Sequence, residues 1–179
     1  MYVPATLETI TNVLEMYRCR PGTELLFREE LDLNLLLPDW VESGRWLACE
    51  RKTVIQVQIN SHLPTLKASH QCLRRLIMNL LENAIKAAPE AGLITVVAWS
   101  LQDTITIDVT DTGCLEQQEV ERMFAKFRQV ERTKRKYIPG YGLGLQTCQK
   151  IVEAHHGRIS CRSEAGKGTT FQVVIPLNN

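Results

Sequence analysis

Strands and helices alternate irregularly along this chain of 179 residues, with hairpins among them. That mixture predicts an α/β fold: a two-layer α/β sandwich in which helices cover one face of a mixed sheet, preceded by a short N-terminal helix. Three observations lead there. The run Thr53-Val54-Ile55-Gln56-Val57-Gln58-Ile59 alternates apolar and polar residues, which marks a strand with one buried and one wet face. Residues from about 69 to 88 repeat apolar side chains at helical spacing and end at Pro89 and Gly92. Two β-rich runs, Leu93 to Leu101 and Ile105 to Thr110, are separated by so little, around Gln102-Asp103, that they must form a hairpin.

The remaining elements follow in order. Leu7, Ile10, Val13, Leu14 and Tyr17 predict an amphipathic helix over about 4–19, stopped by Pro21-Gly22. Its stripe has no partner nearby, so it is expected to lie outside the sandwich, as the end of a preceding helical hairpin. Thr23 to Arg28 reads as a short strand, and Leu33 to Cys49 as a helix, with Pro38 expected in its first turn. A loop containing Pro64 precedes helix 69–88. The polar segment 112–141 carries only a short helical piece near 117–126, and a loop of that length is either disordered or functional. A helix over about 142–155 leads through Gly157 into strands at 158–163 and 169–176.

Composition excludes several classes. With 44% hydrophobic and 23% charged residues the chain reads as an ordinary globular protein. Twenty-one basic residues against twenty acidic ones give a net charge of +1, which removes a whole-molecule case for nucleic acid or direct membrane contact. Cys19, Cys49, Cys72, Cys114, Cys148 and Cys161 show no C-x-x-C spacing and are expected to be small buried hydrophobes in a reducing cytosol. His62, His70, His155 and His156 form no metal-ligand pattern. No apolar run of membrane-spanning length or secretory leader is present, and the chain starts abruptly inside a helical pattern, so a cytoplasmic fragment is expected.

The most informative stretch is Asn79-Leu80-Leu81-Glu82-Asn83-Ala84-Ile85-Lys86. At about 100° per residue, Asn79, Glu82, Asn83 and Lys86 share one stripe, opposite Leu73, Ile77, Leu80, Leu81, Ala84 and Ala88. Asparagine is a mediocre helix former, so two of them four apart suggest a polar task. Three glycine-bearing sites follow. Asp111-Thr112-Gly113 comes at a strand end, where a carboxylate can accept from an exocyclic amine while the glycine lets the backbone bend around a ring; an ordinary turn aspartate is the alternative. Gly140-Tyr141-Gly142-Leu143-Gly144-Leu145 opens a helix whose inner face is Leu145, Cys148, Ile151 and Val152. Backbone N–H groups and the helix N-terminus there suit a polyphosphate, without matching the Rossmann or P-loop patterns. Gly166-Lys167-Gly168-Thr169-Thr170-Phe171 reads as a hairpin bend. Between the first two sites lie Phe124 and Phe127, then Arg132, Lys134, Arg135 and Lys136, a loop suited to closing over a phosphate chain or, alternatively, a solvated charge run.

In this order the motifs resemble those of the ATP-binding catalytic domain of sensor histidine kinases, within the superfamily that includes gyrase, Hsp90 and MutL and shares the Bergerat, or GHKL, ATP-binding fold. The resemblance covers about residues 23–177. Asn79 to Lys86 resembles the N box, Asp111 to Gly113 the first glycine box, Phe124 to Phe127 the F box and Gly140 to Gly144 the second glycine box. Helix 4–19 resembles the tail of the dimerisation helix, which makes residues 1–22 the end of a dimerisation and phosphoacceptor hairpin and 23–179 the catalytic domain.

The resemblance implies ATP and Mg²⁺ as cofactors. Asn83 would coordinate the metal, Asn79 would support it, and Lys86 would touch a phosphate. Asp111 would bind the adenine amine beside Gly113 and Thr169. Gly140, Gly142, Gly144 and Leu145 would accommodate the triphosphate, and residues 113–141, with Lys134 and Arg135, would form the mobile lid. Hydrolysing relatives carry a water-activating glutamate where Asn79 stands; an amide cannot take that proton, so phosphoryl transfer to a partner is expected. The first glycine box of the family usually reads D-x-G-x-G, and Gly113-Cys114-Leu115-Glu116 lacks the second glycine, with a one-residue deletion before Phe124. No histidine lies in helix 4–19, so the acceptor is expected outside this chain. The implied partners are the parent's own dimerisation and phosphoacceptor domain, as a homodimer, and a response regulator. The alternative is a degenerate nucleotide-sensing or scaffolding module.

Overall fold

Asp32 sets the entry into the first helix of the described residues. The computed structural model describes residues 28–49, 51–115 and 143–177; the expected helix over 4–19, most of the strand over 23–28 and the helical piece near 117–126 lie outside those residues. Asp32 Oδ1 accepts from the Asn34 N–H at 2.9 Å, ending β1 (Glu29–Leu31) and starting α1 (Leu33–Cys49). Asn34 ties this corner to the following loop, donating from Nδ2 to the Leu63 carbonyl and accepting from the Leu63 N–H, both at 2.9 Å.

Two expectations are corrected here. Pro38 stands beyond the first turn of α1, inside the helix. It cannot supply the N–H that the Asn34 carbonyl would receive, but its ring is exposed while Leu33, Leu37, Trp40 and Val41 face the core. Arg28, expected at the end of a strand, is not in one. Its Nη2 donates to the Ala154 carbonyl at 3.1 Å, and the strand begins one residue later. That strand pairs antiparallel with β3 (Leu66–Ala68), an element that three residues cannot announce by alternation.

The main sheet contains β2 (Val54–Ile59), β4 (Leu93–Leu101), β5 (Thr104–Asp111), β6 (Arg158–Glu164) and β7 (Gly168–Pro176), in the order β2-β4-β5-β7-β6. β2 and β4 run parallel and every other pair is antiparallel. The β4–β5 hairpin turns at Gln102, whose φ of 52° fits a tight turn. Residues directly across from one another share a face, so the register gathers Ile55, Ile94, Ile107, Val109, Phe171 and Val173 on one side. There they pack in one core with α1, α2 (His70–Ala87) and α3 (Leu143–Ala154). The sandwich with helices on one face of a mixed sheet is the expected fold.

Helix α2 starts at Ser69, whose side chain accepts from the Cys72 N–H, and buries Leu73, Leu76, Ile77, Leu80, Leu81 and Ala84. Each large side chain among these contributes roughly 1.5–3 kcal/mol from burial. Among the described residues no helix is long and apolar enough to cross a membrane. The cysteines depart from expectation: Cys72 and Cys148 are buried, but Cys49 and Cys114 are exposed, because they stand at a helix end and in a loop rather than on an inward face.

Candidate functional site

The polar stripe of α2 is placed as its spacing predicts. Asn79, Glu82 and Asn83 are half-buried and Lys86 is exposed, opposite the buried apolar stripe. Lys86 Nζ lies 3.8 Å from Glu82 Oε2, a surface pair one helical turn apart. Asn79 reaches across to α3, donating from Nδ2 to the Gly144 carbonyl at 3.4 Å. A methyl group built on Gly144 would sit 3.8 Å from the Asn79 amide, so the glycine leaves space above that amide. Beneath it, burial pushes the Cys148 thiol up to about 12, and Asn79 and Arg75 oppose that shift. The Nδ2 of Asn83 is buried and has no hydrogen-bond partner. An amide left in that state is costly unless something outside the chain meets it.

Three adjacent strands carry the second half of the site. Register sets Asp111 of β5 against Thr169 of β7, and Thr169 against Ser163 of β6. Asp111 is 1% exposed, and its Oδ1 accepts from the Gly113 N–H at 2.8 Å. Its Oδ2 is buried without a partner. Burial pushes this carboxyl up to about 6, against the opposing pull of the Gly113 N–H. The carbonyl of Gly113 accepts from Thr169 Oγ1 at 3.2 Å. Gly113 also packs on the last turn of α2, where any Cβ would collide with the Ala87 carbonyl. Gly168, with φ of 92°, lies so close to the Asp111 backbone that no side chain fits.

The fold therefore brings Asp111, Gly113 and Thr169 into one hydrogen-bonded group against the end of α2, and joins Asn79 to Gly144 across α2 and α3. Leu145 is buried in the core. Lys134, Arg135, Gly140 and Gly142 lie outside the described residues. An open depression of about 520 Å³, lined by Arg45, Thr95 and Val54 to Gln58, sits at the β2 edge and gathers none of these residues. Sequence reasoning missed Ser163. Its one signal is its place two residues after Cys161 in an alternating strand, and only the register shows that it meets Thr169.

The cross-strand carboxylate and the amide-bearing helix form a candidate site, and the comparisons give the family in which it stands. Residues 69–179 match the family described as histidine kinase-, DNA gyrase B- and HSP90-like ATPases. The adaptive-response sensory kinase SasA of Synechococcus elongatus is 36% identical over 94% of this chain, which corresponds to 43% of its own length. The structure of full-length ShkA in complex with AMPPNP superimposes with a TM-score of 0.76 at 26% identity, covering 96% of this chain and 35% of that one. Histidine kinase ThkA in complex with the response regulator protein TrrA has the same fold, with a TM-score of 0.73 at 20% identity over 97% of this chain and 48% of that one. This chain belongs to the histidine kinase-, gyrase B- and HSP90-like family, and its relatives within it are sensor histidine kinases. It spans less than half the length of the curated relatives it matches.

Proposed function

We propose that this chain binds Mg·ATP between α2 and the 113–141 segment and transfers the γ-phosphoryl group to a histidine of a dimerisation domain outside it. The observation that carries this reading is Asp111. A carboxylate oxygen left unpartnered at 1% exposure is poorly accommodated in the empty protein and well suited to an exocyclic amine. Asn83 fits a metal role. Its Nδ2 is buried and unmatched, a donor that a phosphate oxygen would satisfy, while its amide oxygen is a hard ligand and Mg²⁺ usually takes one or two protein oxygens with the rest from phosphates and water. When bound, the ion would neutralise phosphate charge. Lys86 would pair a phosphate once released from Glu82, and Gly144 with Gly140 and Gly142 would accommodate the chain of phosphates. Thr169 and Gly113 orient the carboxylate, while Lys134 and Arg135 would close over the phosphates from the lid.

Transfer is favoured over hydrolysis because Asn79 is an amide engaged to Gly144, and it offers no base for water. His155 is not placed to serve as acceptor: it has Nδ1 2.7 Å from the Ile151 carbonyl and Nε2 accepting from the Ser69 N–H, so neither nitrogen is free. A partner histidine, a homodimeric parent and a response regulator follow from this reading, as for sensor kinases generally.

Two measurements test it. Calorimetry should show stoichiometric Mg·ATP binding that Asn83→Ala abolishes while the fold persists. A form extended through the upstream helices should acquire acid-labile phosphohistidine from Mg·ATP. Binding without phosphohistidine would favour the alternative, a nucleotide-sensing or scaffolding module, to which the missing second glycine after Gly113 lends support. Steady hydrolysis lost in Asn79→Ala would instead revive an ATPase.

A further inference from the structure

We propose that Ser163 is a positioning residue for the nucleotide site, holding both the Asp111 carboxylate and the backbone at Leu115 through a single relay of hydrogen bonds. The proposal rests on the reading of Asp111 as the acceptor for an adenine amine. The Leu115 N–H donates to Ser163 Oγ at 2.9 Å. Thr169 Oγ1 donates its one proton to the Gly113 carbonyl at 3.2 Å. The 2.9 Å contact between the Ser163 and Thr169 hydroxyls therefore has Ser163 as donor; the Cys114 sulfur, 4.0 Å from Ser163 Oγ, is the weaker acceptor. Gly113 in turn donates to Asp111 Oδ1 at 2.8 Å. The relay thus runs from Leu115 through Ser163, Thr169 and Gly113 to Asp111, and it leaves Oδ2 as the oxygen without a partner.

Leu115 occupies the place of the second glycine in the D-x-G-x-G pattern. Among the described residues the non-glycine positions with positive φ are Lys52, Ala91, Gln102 and His156, so Leu115 has no left-handed φ that would demand glycine. What the chain has there instead is an anchor: the N–H of Leu115 is pinned to β6 just before the 116–142 segment begins. Without the Ser163 hydroxyl, Leu115 loses its acceptor and Thr169 loses the donor that turns its own proton toward Gly113. The carbonyl of Gly113, and with it the Asp111 rotamer, would then be free to shift.

The experiment compares ATP with inosine triphosphate, which lacks the 6-amino group, by calorimetry on this chain. Ser163→Ala should lower the preference for ATP roughly five- to tenfold, the equivalent of one hydrogen bond. Ser163→Thr, which retains the hydroxyl, should restore it, and Asp111→Asn should remove it altogether. A Ser163→Ala protein with the original preference, alongside an Asp111→Asn protein that has lost it, would overturn the relay and leave the Asp111 reading intact. An Asp111→Asn protein with undiminished preference would overturn both. Should Ser163→Ala fail to fold, amide exchange in the unaltered chain decides: a protected Leu115 amide supports the anchor, and one exchanging as fast as in a free peptide refutes it.

Discussion

Asp111→Asn should make the nucleotide-free protein more stable while depriving it of its adenine acceptor. The carboxyl is 1% exposed, receives one N–H from Gly113 and has a second oxygen without a partner. Burial raises it from 3.8 to about 6. That difference corresponds to about 3 kcal/mol of preference for the protonated form. The sign follows from linkage. Below 3.8 the group is protonated in both states and carries no penalty. As pH rises toward 6 the unfolded chain ionises first, so stability falls, and above that value the whole penalty is present. Asparagine keeps the acceptor for Gly113 but brings an NH₂ with no partner, a loss of about 1 kcal/mol. The net gain near neutrality is then about 1–2 kcal/mol, or roughly 3–6 °C in melting temperature for a chain of this size. Urea denaturation of both proteins between about pH 4 and 8 reads it directly. The variant should be the more stable at neutral pH and lose that advantage toward pH 4. Equal or lower stability at neutral pH, or a difference that does not vary with pH, would refute the reasoning.

Other consequences can be measured as directly. Asn79→Asp turns the donor to Gly144 into a second acceptor facing the same carbonyl, so α2 and α3 should separate at a loss of about 1–3 kcal/mol, seen in urea denaturation. Gly113→Ala drives a methyl into the Ala87 carbonyl and should cost about 2 kcal/mol or more; a neutral effect by thermal melting would show that the Asp111 loop does not rest on α2. His155 is held below its ordinary value by burial, with Arg28 and His156 adding to the effect and the Ile151 carbonyl opposing it. It is neutral when folded, so its contribution is complete above the unfolded value near 6.5 and is lost as pH falls. In an Asp111→Asn background, which removes the opposing slope, His155→Phe should flatten the decline below about pH 6.5 while costing about 1–3 kcal/mol at neutral pH through the orphaned Ser69 N–H.

The two halves of the site differ in how far the sequence discloses them. In α2 every needed relation is local: a 3.6-residue period places Asn79, Glu82, Asn83 and Lys86 on one stripe without knowledge of any other element, and the structure has them there. The hairpin at Gln102 and the alternating strand β2 were legible for the same reason, while β1 and β3 are too short for a period to develop. The row Asp111, Thr169, Ser163 is different in kind. Its members are up to 58 positions apart by sequence number, from residue 111 to 169, and meet only because β5, β7 and β6 pair in one register. A one-residue slip of any one of these strands would turn its member of the row to the opposite face. Motif matching finds Asp111 and Gly113 because they are contiguous, and then reads Leu115 as a missing glycine because it sees only the same short string. The register supplies what the string omits: Ser163, 48 positions away, accepts the Leu115 N–H at 2.9 Å and gives that position an anchor where the motif has a glycine.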